Sequence, residues 1–113
     1  MINSVEDAKA FASFMKYPPI GERSWGPAIP LTMTNMPMGD YLKQANKFSL
    51  ALAMIETRAA IDALDGILSV EGIDGVFVGP SDTSIALSNG AHVDATFGPV
   101  VLVGAGGKYV EAL

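Results

Sequence analysis

The 113-residue sequence contains no cysteine, so it offers neither a disulfide framework nor a thiolate metal site. Its seven lysines and arginines form no cluster and its formal net charge is −5, which argues against binding to nucleic acid or an anionic membrane. The longest apolar run, residues 50–55, is far shorter than the roughly 20 residues of a membrane span. Glu6 and Asp7 interrupt the N-terminal segment, unlike a signal peptide. We therefore expect a soluble, cytoplasmic protein.

The composition is apolar for a small domain, since half of the residues are hydrophobic and only 17% are charged. A chain of this length fits a single domain, residues 1–113, with a core of its own. An apolar excess also favours a surface that is covered by a partner. We therefore expect a homo-oligomer.

Two helices are predicted in the first half of the chain. Ser4 and Asp7 resemble a capping box ahead of an apolar repeat of period 3.6, so one helix should begin near Val5 and end before Pro18. Asp40 is predicted to cap a second, short helix that continues to about residue 48.

The segment between these helices, residues 19–39, is rich in proline, glycine and methionine and shows no period, which predicts a long surface loop. Met33, Met36 and Met38 suit an adaptable contact surface, because thioether side chains fit irregular partners. Alternatively, they belong to a loop folded over a partial core. Arg23 is a candidate for contacting an anionic substrate or a neighbouring subunit, and the alternative is a solvated loop arginine.

The middle of the chain has the pattern of a βαβ unit. Apolar runs over residues 49–55 and 75–79 predict two strands, and a 3.6 period over residues 59–70 predicts the helix between them. Runs that are apolar on both faces are typical of a parallel sheet covered by helices. Residues 99–103 predict a further strand.

An acidic residue follows each of the two strands. Glu56 comes directly after the first run, and Asp82 closes "GVFVGPSD" after the second. In parallel α/β proteins the site lies at the carboxyl ends of the strands, so we expect the two carboxylates on neighbouring strands, about 5 Å apart. Such a pair suits Mg²⁺ or Mn²⁺, which prefer oxygen ligands. The alternative is that both acids only cap the following helices.

The residues around these acids resemble a known family. "MIETRAAIDALDGILSVEGIDGVFVGPSDTS" is similar to the segment shared by the HpcH/HpaI aldolase and citrate lyase family, especially the class II pyruvate aldolases that act on 4-hydroxy-2-oxo acids. "MINSVEDAKAFASFMKYPPIGERSWGP" and "DYLKQANKF" resemble the segment before it. The resemblance covers about residues 1–87 and leaves residues 88–113 as a divergent tail.

The resemblance implies a fold and a chemistry. The family is a (β/α)₈ barrel, of which this chain would hold about three to four βα units with parallel strands. Glu56 and Asp82 match the family's metal-binding acids, and the backbone amides around Ser81 and Asp82 match the part that holds the carboxylate of pyruvate. The implied reaction is metal-dependent aldol cleavage or condensation of 4-hydroxy-2-oxo acids through a pyruvate enolate.

The sequence also departs from the family. Met54 stands where the most similar aldolases carry glutamine, and Thr83 replaces a usual leucine. The family's catalytic histidine and a substrate-binding arginine belong to an upstream half that this sequence lacks, so we expect little activity from the chain alone. The alternative function is a noncatalytic, oligomeric interaction module that retains the βαβ core.

Two further features of the sequence are candidates for function. "VVLVGAGGKYV" resembles the start of a dinucleotide-binding fingerprint, but Tyr109 stands where the third glycine is required, which argues against a cofactor there. His92 is the only histidine and lies among turn-forming residues, so a surface position is favoured over a catalytic one.

Overall fold

The computed structural model describes residues 1–93 and 100–103, the latter as backbone. These residues form six helices and a three-stranded sheet, in the order α1 (Val5–Met15), α2 (Ala28–Thr34), α3 (Met38–Phe48), β1 (Leu52–Ile55), α4 (Arg58–Asp62), α5 (Leu64–Leu68), β2 (Gly75–Val78), α6 (Pro80–Leu87) and β3 (Val100–Val103). Within the described ranges, no helix is both long enough and apolar enough to span a bilayer.

The predicted βαβ unit is present. β1 and β2 are neighbours and run parallel, with Leu52 opposite Gly75 and Ile55 opposite Val78. The α/β class and the parallel pairing of these two strands are thereby confirmed. Because each strand has four residues, their carboxyl ends stop at the same level.

The expectation of parallel strands throughout is wrong for the third strand. Residues 100–103 do form a strand, but β3 pairs antiparallel to β2, with Val100 opposite Val78 and Val103 opposite Gly75. β3 therefore begins at the edge where β2 ends. A short, β-branched apolar run predicts a strand but not its direction, since either direction satisfies the N–H and C=O groups of a sheet edge.

The first half of the chain corrects two predictions. α1 begins at Val5, and the Ser4 hydroxyl caps it by accepting the Asp7 N–H, as the sequence indicates. The predicted loop, however, contains α2, whose residues are all at least partly exposed. Its inward side chain, Leu31, packs against a small aromatic cluster. This tertiary contact could not be predicted, because the segment shows no 3.6-residue period of apolar residues. α3 begins after Pro37, so Asp40 lies in its first turn and does not cap it.

The connection between β1 and β2 is helical but broken. The predicted single helix is divided at Ala63, whose φ of −93° and ψ of 4° lie outside helical geometry. The last helical residue is Leu68, two residues before the predicted end at residue 70, and Gly72 follows with a φ of +93°. Only glycine adopts that conformation without strain, so the chain turns there towards β2.

The core lies between α1, the sheet and the α4–α5 connection. Its buried members are all alanines or β-branched aliphatic residues, namely Ala8, Ala12, Ala51, Ala53, Ile55, Ala60, Ile67, Val70, Ile73 and Val76. A second cluster joins Tyr17, Tyr41 and Ala45 between the loop after α1 and α3. Alanines dominate the first cluster, so helices and sheet approach closely there.

A buried lysine connects α1 and α3 to the start of the sheet. The Lys16 side chain is 1% exposed, and its ammonium donates to Asp74 Oδ2 at 2.6 Å and to the carbonyl oxygens of Asn46 and Ser49 at 3.1 and 2.5 Å. Asp74 Oδ2 also accepts the Ala51 N–H at 2.7 Å. A buried ammonium needs all three acceptors, because burial without hydrogen bonds is costly.

Removing the carboxylate should therefore destabilise the fold. We expect Asp74→Ala to lower the free energy of unfolding by about 3 kcal/mol, because it leaves the Lys16 charge buried without its counter-ion. The measurement is urea unfolding followed by circular dichroism. Glu71→Ala, which removes an exposed carboxylate nearby, is the matched control and should change stability by less than about 0.5 kcal/mol. Equal stabilities of the two variants would contradict this assignment.

Candidate functional site at the carboxyl edge of the sheet

The parallel register brings the two motif-bearing loops together. Ile55 pairs with Val78 at the ends of β1 and β2, so the next residues, Glu56 and Gly79, leave the sheet side by side. The strand ends that precede Glu56 and Asp82 are thus neighbours, as predicted. In parallel α/β proteins, ligand-binding and active sites lie at the carboxyl edge of the sheet.

The Glu56 carboxylate lies directly against the backbone of Gly79. A Cβ atom built on Gly79 would overlap Glu56 Oε1 and would lie 3.3 Å from Glu56 Cδ. Gly79 has an ordinary extended φ of −89°, so glycine is needed there for space and not for conformation. The absent side chain leaves a cradle that the carboxylate fills, next to the first turn of α6.

Neither acid occupies a helix N-cap. Thr57 caps α4, since its hydroxyl accepts the Ala60 N–H at 3.1 Å. Gly79 is the N-cap residue of α6, and Asp82 lies in that helix's first turn with an exposed side chain. For Glu56 the capping alternative is therefore wrong: its carboxylate is half-buried against the next strand end and not engaged at the start of α4.

The start of α6 is shaped by the GPSD motif itself. Pro80 occupies the first turn, where its missing N–H costs no helical hydrogen bond. Ser81 is half-buried, and its carbonyl oxygen accepts the Ser84 hydroxyl at 2.7 Å. The Thr83 hydroxyl lies 3.5 Å from the Ile55 carbonyl oxygen, at the outer limit of a hydrogen bond.

The segment before α1 completes this edge, and sequence reasoning missed it. The Ile2 N–H donates to the Met54 carbonyl oxygen at 2.9 Å, and Asn3 Oδ1 accepts the Thr57 hydroxyl at 2.6 Å. The sequence offered one signal, Thr57, which lies just before a predicted helix. A threonine at that position indicates a helix cap, but it does not indicate a distant partner such as Asn3. Three chain segments therefore form the carboxyl edge of the sheet: the loop after β1, the loop after β2 and the segment before α1.

Arg23 lies at the other edge of the sheet. Its guanidinium stacks 4.8 Å from the centre of the Tyr17 ring and donates to the Ser49 hydroxyl at 3.2 Å. Ser49 precedes the amino end of β1, whereas Glu56 follows the carboxyl end. The structure thus does not bring Arg23 together with the two acids, and a role in substrate binding stays a prediction.

The remaining candidates lie away from the edge or outside the described residues. His92 is exposed just after the turn that follows α6, and its backbone N–H donates to the Ser88 hydroxyl at 3.2 Å. Residues 104–109, which carry the glycine-rich pattern, and most of the tail over 88–113 lie outside the described residues. Over residues 1–93 and 100–103, no three acidic or histidine side chains cluster closely enough to hold a metal by themselves.

The comparison with protein families decides the ancestry. A profile described as HpcH/HpaI aldolase/citrate lyase matches residues 1–98, which is most of the chain. The chain belongs to the HpcH/HpaI aldolase/citrate lyase family. The family resemblance predicted from residues 1–87 is confirmed, and the match extends beyond residue 87 into the segment expected to be divergent.

The curated relatives of this chain include aldolases. The chain is 44% identical over 101 residues to a hydroxypyruvate/pyruvate aldolase of Rhizorhabdus wittichii, covering 89% of this chain and 39% of that protein. It is 39% identical over 87 residues to a 2-keto-3-deoxy-L-rhamnonate aldolase of Salmonella paratyphi B, covering 77% of this chain and 33% of that protein. The chain thus spans about a third to two fifths of the length of these relatives.

Solved HpcH/HpaI structures share the fold of the described part. An aldolase from Desulfitobacterium hafniense aligns with a TM-score of 0.66 at 32% identity, over 77% of this chain and 34% of that one. A family protein from Burkholderia cenocepacia aligns with a TM-score of 0.68 at 24% identity, over 85% of this chain and 38% of that one. The second likeness concerns the fold alone.

The Glu56–Gly79 contact can be tested without any ligand. We expect Gly79→Ala to destabilise the protein by about 1–3 kcal/mol, because the new methyl group overlaps the Glu56 carboxylate. The added substitution Glu56→Ala should remove most of that loss, since it removes the overlapping atoms. The free energies of unfolding of the two single variants and the double variant measure this coupling.

The matched control is Gly39→Ala, because a Cβ at Gly39 meets no atom within 4 Å. This control should be neutral or slightly stabilising, as expected for glycine replaced by alanine in a helix. Losses from Gly79→Ala and Glu56→Ala that simply add would show that the two residues do not touch.

Proposed function

We propose that this chain forms the metal-binding and oxo-acid-binding edge of an HpcH/HpaI aldolase. The reaction is cleavage or formation of the carbon–carbon bond of a 4-hydroxy-2-oxo acid through the enolate of pyruvate. One observation carries the proposal: the Glu56 carboxylate rests in the cradle left by Gly79, at the start of the helix that bears Asp82.

The donor set fits a small divalent cation. Mg²⁺ and Mn²⁺ prefer carboxylate oxygens and are often held by one or two carboxylates, with water or substrate in the remaining positions. Glu56 and Asp82 would hold the metal, since both follow adjacent parallel strands at the same edge. A bound divalent cation supplies Lewis acidity that stabilises the negative charge of an enolate.

The amino end of α6 suits the carboxylate of the substrate. The first turn of a helix presents backbone N–H groups and a partial positive charge, both of which favour an anion. Ser81 and Asp82 lie in that turn, and we assign their backbone amides to the carboxylate of pyruvate or another 2-oxo acid. The chain's own residues would thereby orient the oxo acid with its keto group towards the two acids.

The relatives support the proposed class of reaction, and they are longer than this chain. Both relatives described above are named as aldolases, and one name includes pyruvate. Aldol cleavage also needs a positioned acid or base, which contributes a factor of about 10²–10⁴. Because the chain spans about a third to two fifths of these proteins, we propose that this group belongs to the rest of the enzyme.

A noncatalytic interaction module is the second candidate, favoured by one specific observation. α2 and the start of α3 expose large apolar side chains: Ile29 is 73% exposed, Met33 80% and Met38 58%. Met36, in contrast, packs against the Tyr17 and Tyr41 cluster. Exposed apolar side chains of this kind suit a homo-oligomeric contact, which is compatible with either function.

Metal binding separates the two candidates. We expect the chain to bind Mn²⁺ weakly and to bind it more tightly when pyruvate is present, because the oxo acid supplies further oxygen ligands. Glu56→Ala should weaken Mn²⁺ binding at least about tenfold, since it removes one of two charged ligands. Isothermal titration with Mn²⁺, with and without pyruvate, measures both effects.

The control is Asp62→Ala, which removes an exposed carboxylate at the end of α4 and should leave Mn²⁺ binding unchanged. Stable oligomers that bind neither Mn²⁺ nor pyruvate would instead favour the interaction module.

The catalytic activity of the chain alone is a separate matter. We expect retro-aldol release of pyruvate from a 4-hydroxy-2-oxo acid with Mn²⁺ to be about 10²-fold or more below that of a full-length relative, for want of a positioned acid or base. A coupled assay for pyruvate measures the rate. A rate comparable to the relative's, abolished by Glu56→Ala, would contradict this expectation while supporting the site.

A further inference from the structure

A second contact holds the strand end that carries Glu56. The Thr57 hydroxyl accepts the Ala60 backbone N–H at 3.1 Å and donates its own proton to Asn3 Oδ1 at 2.6 Å. A hydroxyl group has one proton to donate and two lone pairs. Thr57 therefore uses its acceptor to cap α4 and its only proton to bind a residue 54 positions away.

Asn3 is itself fixed to two other parts of the fold. Its backbone N–H donates to Asp7 Oδ2 at 3.0 Å, within the first turn of α1. The preceding residue, Ile2, donates its N–H to the Met54 carbonyl oxygen at 2.9 Å. The amide oxygen of Asn3 is thus presented to Thr57 from a backbone that is anchored through two successive N–H groups.

We propose that Asn3 is a positioning residue for Glu56, acting through Thr57. Glu56 has its carboxylate confined against Gly79 on one side, while the peptide that follows it is held by the Asn3–Thr57 hydrogen bond on the other. With both ends restrained, the Glu56 carboxylate keeps one orientation. This inference rests on the proposed role of Glu56 as a metal ligand.

The alternative is that the Asn3–Thr57 bond only stabilises the fold. The two roles separate because Asn3→Ala removes the acceptor of the Thr57 proton and leaves the Thr57–Ala60 cap intact. A purely structural bond would change the free energy of unfolding and leave the metal affinity of the folded protein unaltered. A positioning bond would change the metal affinity of the folded protein.

The experiment is a Mn²⁺ titration of the full chain and its folded variants. We expect Asn3→Ala to raise the dissociation constant of Mn²⁺ about tenfold, the lower end of the effect of outer-shell partners of metal ligands. Thr57→Ser, which keeps the hydroxyl, should bind as the wild type does. The double variant Asn3→Ala/Thr57→Val should bind no more weakly than Thr57→Val alone, because both changes remove the same hydrogen bond.

The matched control is Ser69→Ala, which removes a hydrogen bond that a hydroxyl donates elsewhere, to the Asp65 carbonyl oxygen, and should leave Mn²⁺ affinity unchanged. Wild-type Mn²⁺ binding that Asn3→Ala does not weaken would overturn the positioning role and leave the proposed function standing. Additive effects in the double variant would overturn the route through Thr57. Absence of Mn²⁺ binding by the wild type would overturn both proposals. Should Asn3→Ala not fold, equal affinities of Thr57→Val and Thr57→Ser would overturn the positioning role.

Discussion

The described fold depends on one buried charge, the Lys16 ammonium. It ties the end of α1 to the last carbonyl groups around α3 and to Asp74, which precedes β2. Asp74 Oδ2 also accepts the Ala51 N–H, while the Asp74 N–H donates to the Ala51 carbonyl oxygen at 3.0 Å. The two strands are thereby fixed at the same level where they enter the sheet. Replacing a buried pair by apolar groups is often tolerated in proteins, but removing one partner is not.

The alignment of β1 and β2 at their amino ends determines which residues lie side by side at their carboxyl ends. β1 and β2 have four residues each and pair without a bulge, so the pairing of Leu52 with Gly75 carries through to Ile55 and Val78. Glu56 then necessarily emerges beside Gly79. A slip of one residue would turn every side chain of a strand to the other face and would place Glu56 against a residue with a Cβ. The candidate site is thus a consequence of register, set at the other end of the sheet.

Sequence patterns predicted the parts of this arrangement that are local. The capping pair at Ser4, the apolar strands and the acid after the first strand are encoded within a few residues, and the family motifs specify their combination. Three features escaped prediction because they depend on distant contacts. α2 is stabilised by packing and not by its own period, and β3 has a direction that its composition does not encode. Lys16 is an ordinary lysine at the C-cap of α1 until Asp74 lies beside it.

The same distinction explains why the two acids are held so differently. Asp82 is exposed in the first turn of α6, and its position follows from the short GPSD turn alone. Glu56 is half-buried and is placed by three segments, β1, the Gly79 cradle and the segment before α1 that holds Thr57. A ligand placed by many contacts has little freedom to lose when a metal binds, so more of the interaction energy appears as affinity. In the proposed metal site, the restrained acid Glu56 should therefore contribute more to metal affinity than the exposed acid Asp82.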